Sequence, residues 1–204
     1  MTQKVVVVDT GMGNVRSVMH ALERAGASPV HTRDHAAVVA ADRLVVPGQG
    51  HFGDCARAFE GRVGDSVREF LSAGRPYLGI CLGMQILFDE SDEAPGLRGL
   101  GIVPGRVRRF PANMHAADGA ALKVPHMGWS TVKSTHAYVD DGAWLYFVHS
   151  YYCDPMDPKD VVVRAEHGVA FAAAVARGPM FGCQFHPEKS QDAGAKLIER
   201  FLAS

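Results

Sequence analysis

PYLGICLGMQILFD, residues 76–89, contains two apolar runs that meet at a cysteine with a glycine two residues before it and another two residues after it. Residues 76–80 predict a β-strand covered on both faces, because the run shows no polar alternation. Residues 82–89 predict a helix that begins directly after Cys81. A buried strand that turns at once into a helix is typical of a parallel sheet flanked by helices.

The segments before this stretch follow the same strand–helix order. KVVVVD at residues 4–9 is a β-branched run, and a helical pattern follows Gly11 and Gly13. The predicted strands are residues 4–9, 29–32 and 43–46, and the predicted helices are residues 14–25, 36–41 and part of 52–72. This alternation predicts a parallel sheet with helices on both faces.

The second half of the chain predicts mainly strands separated by turns. These strands are residues 101–110, 129–133, 145–151, 161–165, 170–176 and 180–185. A last helix is expected at residues 192–202, and the alanine-rich stretch 111–119 predicts a mobile loop. Residues 1–204 therefore predict one mixed α/β domain, with a mostly parallel central sheet and additional antiparallel strands.

The composition limits the classes of function. The chain has 204 residues, 47% of them hydrophobic, and its net charge is −1 from 21 basic and 22 acidic side chains. Such a balance gives no reason to expect a nucleic acid or an anionic membrane as the main partner. No apolar run approaches the roughly 20 residues that span a bilayer. We expect no secretion signal, no membrane span and a cytoplasmic location.

The four cysteines are expected to be free thiols. Cys55, Cys81, Cys153 and Cys183 are widely spaced and form no CxxC pair. A chain of this size without a secretion signal is expected in a reducing compartment.

Gly79-Ile80-Cys81-Leu82-Gly83 is the thiol counterpart of a nucleophile elbow. A sharp turn lifts the nucleophile above the sheet, and the helix that begins at Leu82 directs its free N–H groups at the sulfur. The Leu82 N–H is also placed to meet a developing oxyanion. Taken alone, the pentapeptide is equally typical of an ordinary buried cysteine.

QFHPEK at residues 184–189 supplies a candidate base. His186 should emerge at the end of a strand, where sites in open α/β sheets assemble. Glu188 lies two residues on, so in extended backbone its carboxylate projects to the same side and can orient the imidazole. Without Cys81, a surface His-Pro-Glu turn would be the better interpretation.

Other motifs are weaker by themselves. PGQGHFG at residues 47–53 follows a buried strand, and its glycines let backbone N–H groups face a ligand, although such turns are usually structural. Gln85 lies one turn beyond Cys81 and is within reach of a substrate. His31 and His35 lack the Glu of an HExxH metal motif. Arg106, Arg108 and Arg109 are more typical of a solvated strand face.

Together these motifs resemble those of the class I glutamine amidotransferases. GICLGMQ at 79–85, PGQG at 47–50 and QFHPEKSQ at 184–191 carry the resemblance. Within the family the chain looks most like the glutaminase subunits of imidazole glycerol phosphate synthases, which act in histidine biosynthesis. The segments that carry this closer resemblance are VDTGMGNVRSV at 8–18, PGQGHFGD at 47–54, VPHMGW at 124–129 and YFVHSYY at 146–152.

The resemblance implies a flavodoxin-like fold and a role for each matching residue. Cys81 would attack the side-chain amide of L-glutamine, His186 would protonate the departing ammonia and activate water, and Glu188 would orient His186. The implied glutamine-binding and oxyanion residues are Gly48, Gln49, Gly50, Leu82, Gln85, Glu93, Ser150 and Tyr151, of which Glu93 and Tyr151 are equally open to a structural role. This chemistry implies no cofactor and no metal.

The resemblance also implies a partner. The family's partner is a (β/α)8-barrel cyclase that receives the ammonia and forms a heterodimer with the glutaminase. The implied contact residues are Asn14, Arg16, His126, Met127 and Trp129. Two alternatives stay open: a glutaminase that serves another synthase, such as anthranilate synthase, or a catalytically silent regulatory subunit.

Two positions depart from the subfamily pattern. Gln49 stands where an apolar residue is typical, which puts in doubt how readily the oxyanion loop rearranges. Ser130 follows Gly-Trp where Asn is more usual, a change expected to affect only the interface.

Overall fold

A computed structural model describes residues 4–116 and 118–204, and within these ranges the chain alternates strands and helices before residue 90. The strands are β1 (Val5–Val8), β2 (Val30–Thr32), β3 (Arg43–Val46), β4 (Tyr77–Ile80), β5 (Glu90–Ser91), β6 (Gly105–Arg109), β7 (His126–Thr131), β8 (Lys133–Ser134), β9 (Trp144–His149), β10 (Tyr151–Pro155), β11 (Val161–Glu166), β12 (Ala170–Arg177) and β13 (Met180–Cys183). The helices are α1 (Val15–Arg24), α2 (His35–Val39), α3 (Phe52–Ala58), α4 (Arg62–Ser72), α5 (Leu82–Gln85) and α6 (Gln191–Ala203).

The central sheet has the strand order β2-β1-β3-β4-β13-β12-β10-β6-β5. The first five strands are parallel, β12 and β10 pair antiparallel with their neighbours, and β5 pairs parallel with β6 at the far edge. Strands β11 and β8 extend the sheet from β12. Strands β1, β3 and β4 are buried along their whole length, as the apolar runs of β1 and β4 and the apolar run at residues 44–46 of β3 predict. The predicted mixed α/β class with a mostly parallel centre and additional antiparallel strands is confirmed.

Strand β13 lies beside β4 although nearly a hundred residues separate them in sequence. The two strands are parallel, with Cys183 opposite Ile80 and Gly182 opposite Gly79. Because the carboxyl ends of parallel strands meet at one edge, the residues that follow β4 and β13 come together there.

Two predicted helices differ from the structure. The helix expected at 82–89 ends at Gln85, because the carbonyls of residues 86–88 accept hydrogen bonds from the N–H groups of residues 100–103. The segment 52–72 holds two helices instead of one long helix. The break falls at Gly61, whose φ of +65° suits glycine, and α4 begins there.

Strands β7 and β9 form a separate two-stranded antiparallel ribbon in which His126 pairs with His149. Alternate residues face opposite sides, so β9 buries Leu145, Phe147 and His149. The other side carries a group of apolar side chains, which we call the outer face: Met127, Trp129, Trp144, Tyr146 and Val148. Met127, Trp129 and Trp144 are large and solvent-exposed.

The remaining expectations concern the surface. Arg106 and Arg108 lie on a solvated strand face, as expected, paired with Asp92 and Asp154. Part of the expected mobile loop at 111–119 lies outside the described residues, since residue 117 belongs to neither range. In the two described ranges, no helix combines the length and the apolar character needed to cross a membrane.

Candidate active site

Cys81 sits on a strained turn between β4 and α5. Its φ of +55° lies in the left-handed region that non-glycine residues rarely occupy, and such strain persists only where the surroundings hold it. The Cys81 N–H donates to the carbonyl of Cys183 at 2.7 Å, which ties the elbow to β13. The flanking glycines are required by close approach, since a Cβ on Gly83 would lie 1.8 Å from the carbonyl oxygen of Val46.

His186 and Glu188 follow β13 and form a buried pair. His186 Nδ1 lies 2.8 Å from Glu188 Oε1, and the two side chains are 1% and 2% exposed. Since the carboxylate only accepts, Nδ1 carries the proton in this bond and Nε2 is left for another group. Nε2 is buried and has no hydrogen-bond partner in the described part of the chain.

The pKa of His186 reflects opposing effects of its surroundings. Burial lowers this pKa, but the neighbouring Cys81 sulfur and the hydrogen-bonded Glu188 carboxylate outweigh burial and raise it to about 9. The sulfur and the carboxylate therefore act on one imidazole, and the ring remains an imidazolium well above its usual pKa of 6.5. This arrangement is that of a nucleophile, a proton carrier and an orienting carboxylate.

A cavity of about 380 Å³ opens over Cys81. Of the eight residues expected to bind glutamine or the oxyanion, all but Gly48 line it, and Gly48 packs behind Leu82. The cavity lining consists of Gln49, Gly50, Cys81, Leu82, Gln85, Glu93, Pro125, Val148, His149, Ser150, Tyr151 and Lys189. The structure thus brings residues from six separate segments to one site.

Glu93 and Gln85 also make internal contacts. Glu93 Oε2 accepts from the N–H of Phe52 at 2.6 Å and so satisfies a free N–H at the start of α3. Gln85 Nε2 donates to the carbonyl of Tyr151 at 3.2 Å and to Gln184 Oε1 at 3.0 Å. Both residues therefore have structural contacts in addition to their place in the cavity wall.

The peptide between Gly48 and Gln49 faces away from the expected oxyanion arrangement. The Leu82 N–H donates to the carbonyl oxygen of Gly48 at 3.3 Å. In a trans peptide the C=O and N–H point in opposite directions, so the Gln49 N–H is directed away from Leu82. One expected oxyanion donor is thus occupied and the other is turned away in this conformation.

The other three thiols are poor candidates for nucleophiles. Cys55, Cys153 and Cys183 are buried, and all four cysteines are free, as predicted. Burial raises the pKa of Cys55 to about 12 and raises the pKa of Cys153 and of Cys183 well above the ordinary value. They therefore stay protonated at neutral pH.

A model of the family described as glutamine amidotransferase class-I matches residues 6–204. The chain belongs to this family. The imidazole glycerol phosphate synthase subunit HisH of Methylococcus capsulatus is 47% identical to this amidotransferase, covering 97% of this chain and 95% of that protein. The subunit HisH 1 of Pseudomonas aeruginosa is 45% identical, and the match covers 100% of this chain and 98% of that protein.

Solved structures agree on the fold of the amidotransferase. One described as a crystal structure of glutamine amidotransferase gives a TM-score of 0.75 at 22% identity, covering 97% of each chain. A chain in the structure of PurLQS from Thermotoga maritima gives a TM-score of 0.75 at 19% identity, and the match covers 100% of this chain and 98% of that chain. At these identities the likeness concerns the fold alone.

The residues expected at a partner interface differ in their exposure. Asn14, Arg16, Met127 and Trp129 are exposed, and the Asn14 side chain also caps α1 by accepting from the Ser17 N–H. His126 differs from the expectation, because it is only 4% exposed. Residues alternate along β7, so the positions that expose Met127 and Trp129 turn His126 inward.

Sequence reasoning missed three polar side chains at the site of this amidotransferase. Gln184 is fully buried, and its Nε2 lies 3.5 Å from Cys81 Sγ. Its position two residues before His186 on an extended segment was a usable signal, since both side chains then project to one side. His149 and Lys189 line the cavity as well, and each lies inside a motif that had been recognised.

Proposed function

We propose that this chain is the glutaminase subunit of an imidazole glycerol phosphate synthase of histidine biosynthesis. It hydrolyses L-glutamine to glutamate and ammonia and passes the ammonia to a cyclase subunit, a (β/α)8 barrel bound as a heterodimer. The single observation that carries the chemistry is Cys81 on a strained elbow beside the buried His186–Glu188 pair. The 45–47% identity to HisH subunits over nearly the whole chain supports the pathway.

The reaction proceeds through a thioester. The Cys81 sulfur adds to the side-chain carbonyl carbon of glutamine, and the carbonyl electrons move to its oxygen. When the C–N bond breaks, His186 delivers its Nε2 proton to the leaving nitrogen, and ammonia departs. The neutral imidazole then takes a proton from water, whose oxygen attacks the thioester carbon. The C–S bond breaks, its electron pair returns to the sulfur, and glutamate is released beside the regenerated imidazolium. Glu188 keeps the ring oriented throughout.

Stabilising the oxyanion requires a change in the loop at residues 48–50. Rotating the peptide between Gly48 and Gln49 removes the Gly48 carbonyl from the Leu82 N–H and turns the Gln49 N–H toward the same place. Both N–H groups then meet the oxyanion. Gly50, with φ at +119°, gives the loop the backbone freedom for this rotation. The glutaminase is accordingly slow until the loop turns.

The outer face of the β7–β9 ribbon supports the need for a partner. Met127 is 63% exposed, Trp129 41% and Trp144 59%, and exposed apolar groups of this kind mark interaction sites. Val148 on this ribbon and Pro125 just before it line the cavity, so a protein docked on the outer face lies beside the cavity mouth. Ammonia released into neutral water becomes ammonium, which is not a nucleophile, and a partner at this position would receive it without exposure to solvent. The four free thiols support a reducing compartment such as the cytoplasm.

Replacing Glu188 by Gln should shift the pH dependence of glutamine hydrolysis. In the wild type, His186 is protonated up to a pKa of about 9, in part through Glu188. The amide introduced at position 188 carries no charge, so we expect the pKa of His186 to fall by about 1–3 units. Because departure of ammonia needs the imidazolium, the basic limb of the kcat/KM profile should move to lower pH. A Glu199→Gln variant, altered at an exposed carboxylate on α6, should keep the wild-type limb. An unshifted limb in Glu188→Gln would contradict the role given to Glu188.

The function is tested by measuring glutamate and ammonia formation from glutamine with and without the cyclase subunit and its substrate. We expect strong stimulation by the loaded cyclase and co-purification of the two chains. A Met127→Asp variant should lose the stimulation and the co-purification. Val30→Asp, at a 48% exposed position on edge strand β2, should keep the stimulation and the co-purification.

Recovery of an anthranilate-type synthase instead of the cyclase would overturn the histidine assignment. Absence of hydrolysis with every partner would favour a silent subunit.

A further inference from the structure

Two buried histidines of the β7–β9 ribbon are hydrogen-bonded to each other behind the cavity. His126 Nδ1 lies 3.1 Å from His149 Nε2, and the residues are 4% and 6% exposed. Phe147 and His167 stack on the His126 ring, with centroids 4.9 and 4.2 Å away. The outer nitrogen of each ring has its own partner: His126 Nε2 is 2.9 Å from Ser130 Oγ, and His149 Nδ1 is 2.8 Å from the carbonyl oxygen of Tyr151.

The hydrogens in this chain of bonds have only one consistent arrangement. Burial, reinforced by His167, lowers the pKa of His126 to about 4, and burial lowers the pKa of His149 to about 3, so each ring is neutral with one N–H. The Tyr151 carbonyl only accepts, so His149 carries its hydrogen on Nδ1 and accepts at Nε2. His126 must then donate from Nδ1, and its Nε2 accepts from the Ser130 hydroxyl. In each of these hydrogen bonds the donor is therefore the group nearer to Ser130 and the acceptor is the group nearer to Tyr151.

The same carbonyl oxygen connects to the nucleophile. Gln85 Nε2 donates one hydrogen to the Tyr151 carbonyl at 3.2 Å and the other to Gln184 Oε1 at 3.0 Å. Gln184 Nε2 in turn lies 3.5 Å from Cys81 Sγ. An unbroken series of hydrogen bonds therefore joins Ser130 on β7 to the sulfur, and its members His126, His149, Gln85 and Gln184 are buried.

We infer that Ser130, His126 and His149 are positioning residues for the reaction of Cys81, acting through the Tyr151 carbonyl and the side chains of Gln85 and Gln184. This inference rests on the proposed glutaminase function. Each buried group here has its partner, and breaking one link leaves a buried donor or acceptor unsatisfied, which is costly enough to move its neighbours. The two amides therefore hold one orientation against the sulfur only while the histidine pair is intact. Ser130 belongs to this network and not only to the partner surface.

The test compares variants of His126 in the complex with the cyclase. His126→Leu removes the donor to His149, and a small displacement of the reacting groups is expected to lower kcat by ~10–10²-fold with a smaller change in KM. His126→Asn keeps a side-chain N–H close to the position of Nδ1 and should recover most of kcat. The matched control is His136→Leu, which removes a half-buried histidine whose Nδ1 accepts from the Tyr138 N–H and should leave kcat unchanged. Equal kcat in His126→Leu and His136→Leu would overturn the inference.

Two further measurements cover the case in which His126→Leu fails to fold. Ser130→Ala, at a half-buried position, should lower kcat less than His126→Leu does. Ser130→Asn, which restores a donor, should return kcat to near the wild-type value. Nitrogen-15 NMR of the wild-type chain should show both His126 and His149 as neutral rings protonated at Nδ1. Finding either ring protonated at Nε2, or finding Ser130→Ala and Ser130→Asn alike, would contradict the inference. Since the NMR result needs neither glutamine nor the cyclase, its failure is distinct from failure of the proposed function.

Discussion

Replacing Cys81 by alanine is expected to abolish hydrolysis of glutamine while the fold is kept. The sulfur is the atom that adds to the amide carbonyl, and loss of the nucleophile in acyl-transfer enzymes lowers kcat by about 10⁴–10⁶-fold. The side chain is small and only 6% exposed, so the variant should unfold close to the wild-type temperature. Glutamate formation in the complex with the cyclase is the measurement.

The matched control for Cys81→Ala is Cys153→Ala. Cys153 is also buried and free, and burial raises its pKa well above the ordinary thiol value, so it takes no part in the reaction. This control should keep glutaminase activity at a modest cost in stability. Residual activity of Cys81→Ala comparable to that of Cys153→Ala would mean that another group carries out the attack.

Replacing Gly83 by alanine is expected to destabilise the whole chain. The added Cβ would lie 1.8 Å from the carbonyl oxygen of Val46 and 2.8 Å from the carbonyl carbon, both backbone atoms of the central strand β3. Since neither β3 nor the elbow can move without disturbing the sheet, we expect a loss of about 3 kcal/mol or more in the free energy of unfolding. Urea unfolding measured by circular dichroism tests this.

Gly178→Ala separates the steric effect from backbone strain. Gly178 has a φ of +54°, and a Cβ there would meet no atom of the described residues within 4 Å. Its replacement should cost only the strain of a left-handed residue, about 1–2 kcal/mol. If Gly83→Ala cost no more than Gly178→Ala, the close packing of the elbow against β3 would be disproved.

The parallel half of the fold could be predicted because its signals are local. Strands β1 and β4 are uninterrupted apolar runs and β3 is apolar after Arg43, a pattern that has one physical explanation in a sheet covered on both faces. The extent of α5 could not be predicted. Its apolar pattern continues to residue 88, but distant N–H groups from residues 100–103 take the carbonyls that a longer helix would need.

The candidate site shows the same division between local and distant information. Cys81 and His186 are recognisable because each lies at the end of a buried strand within a distinctive motif. The orientation of the Gly48–Gln49 peptide could not be predicted, because glycine permits both orientations and a contact with Leu82 selects one. The inward direction of His126 could not be predicted, because the strand expected at 129–133 begins after this residue, whereas β7 begins at His126.

Isolating the covalent intermediate tests most directly whether Cys81 is the nucleophile. Glutamine is mixed with the wild-type chain bound to the substrate-loaded cyclase, the reaction is stopped with acid within one turnover, and the digested protein is analysed by mass spectrometry. We expect a γ-glutamyl thioester on the peptide that contains Cys81 and on no other cysteine peptide. A γ-glutamyl group attached to another residue, or turnover of glutamine without any group on Cys81, would contradict it.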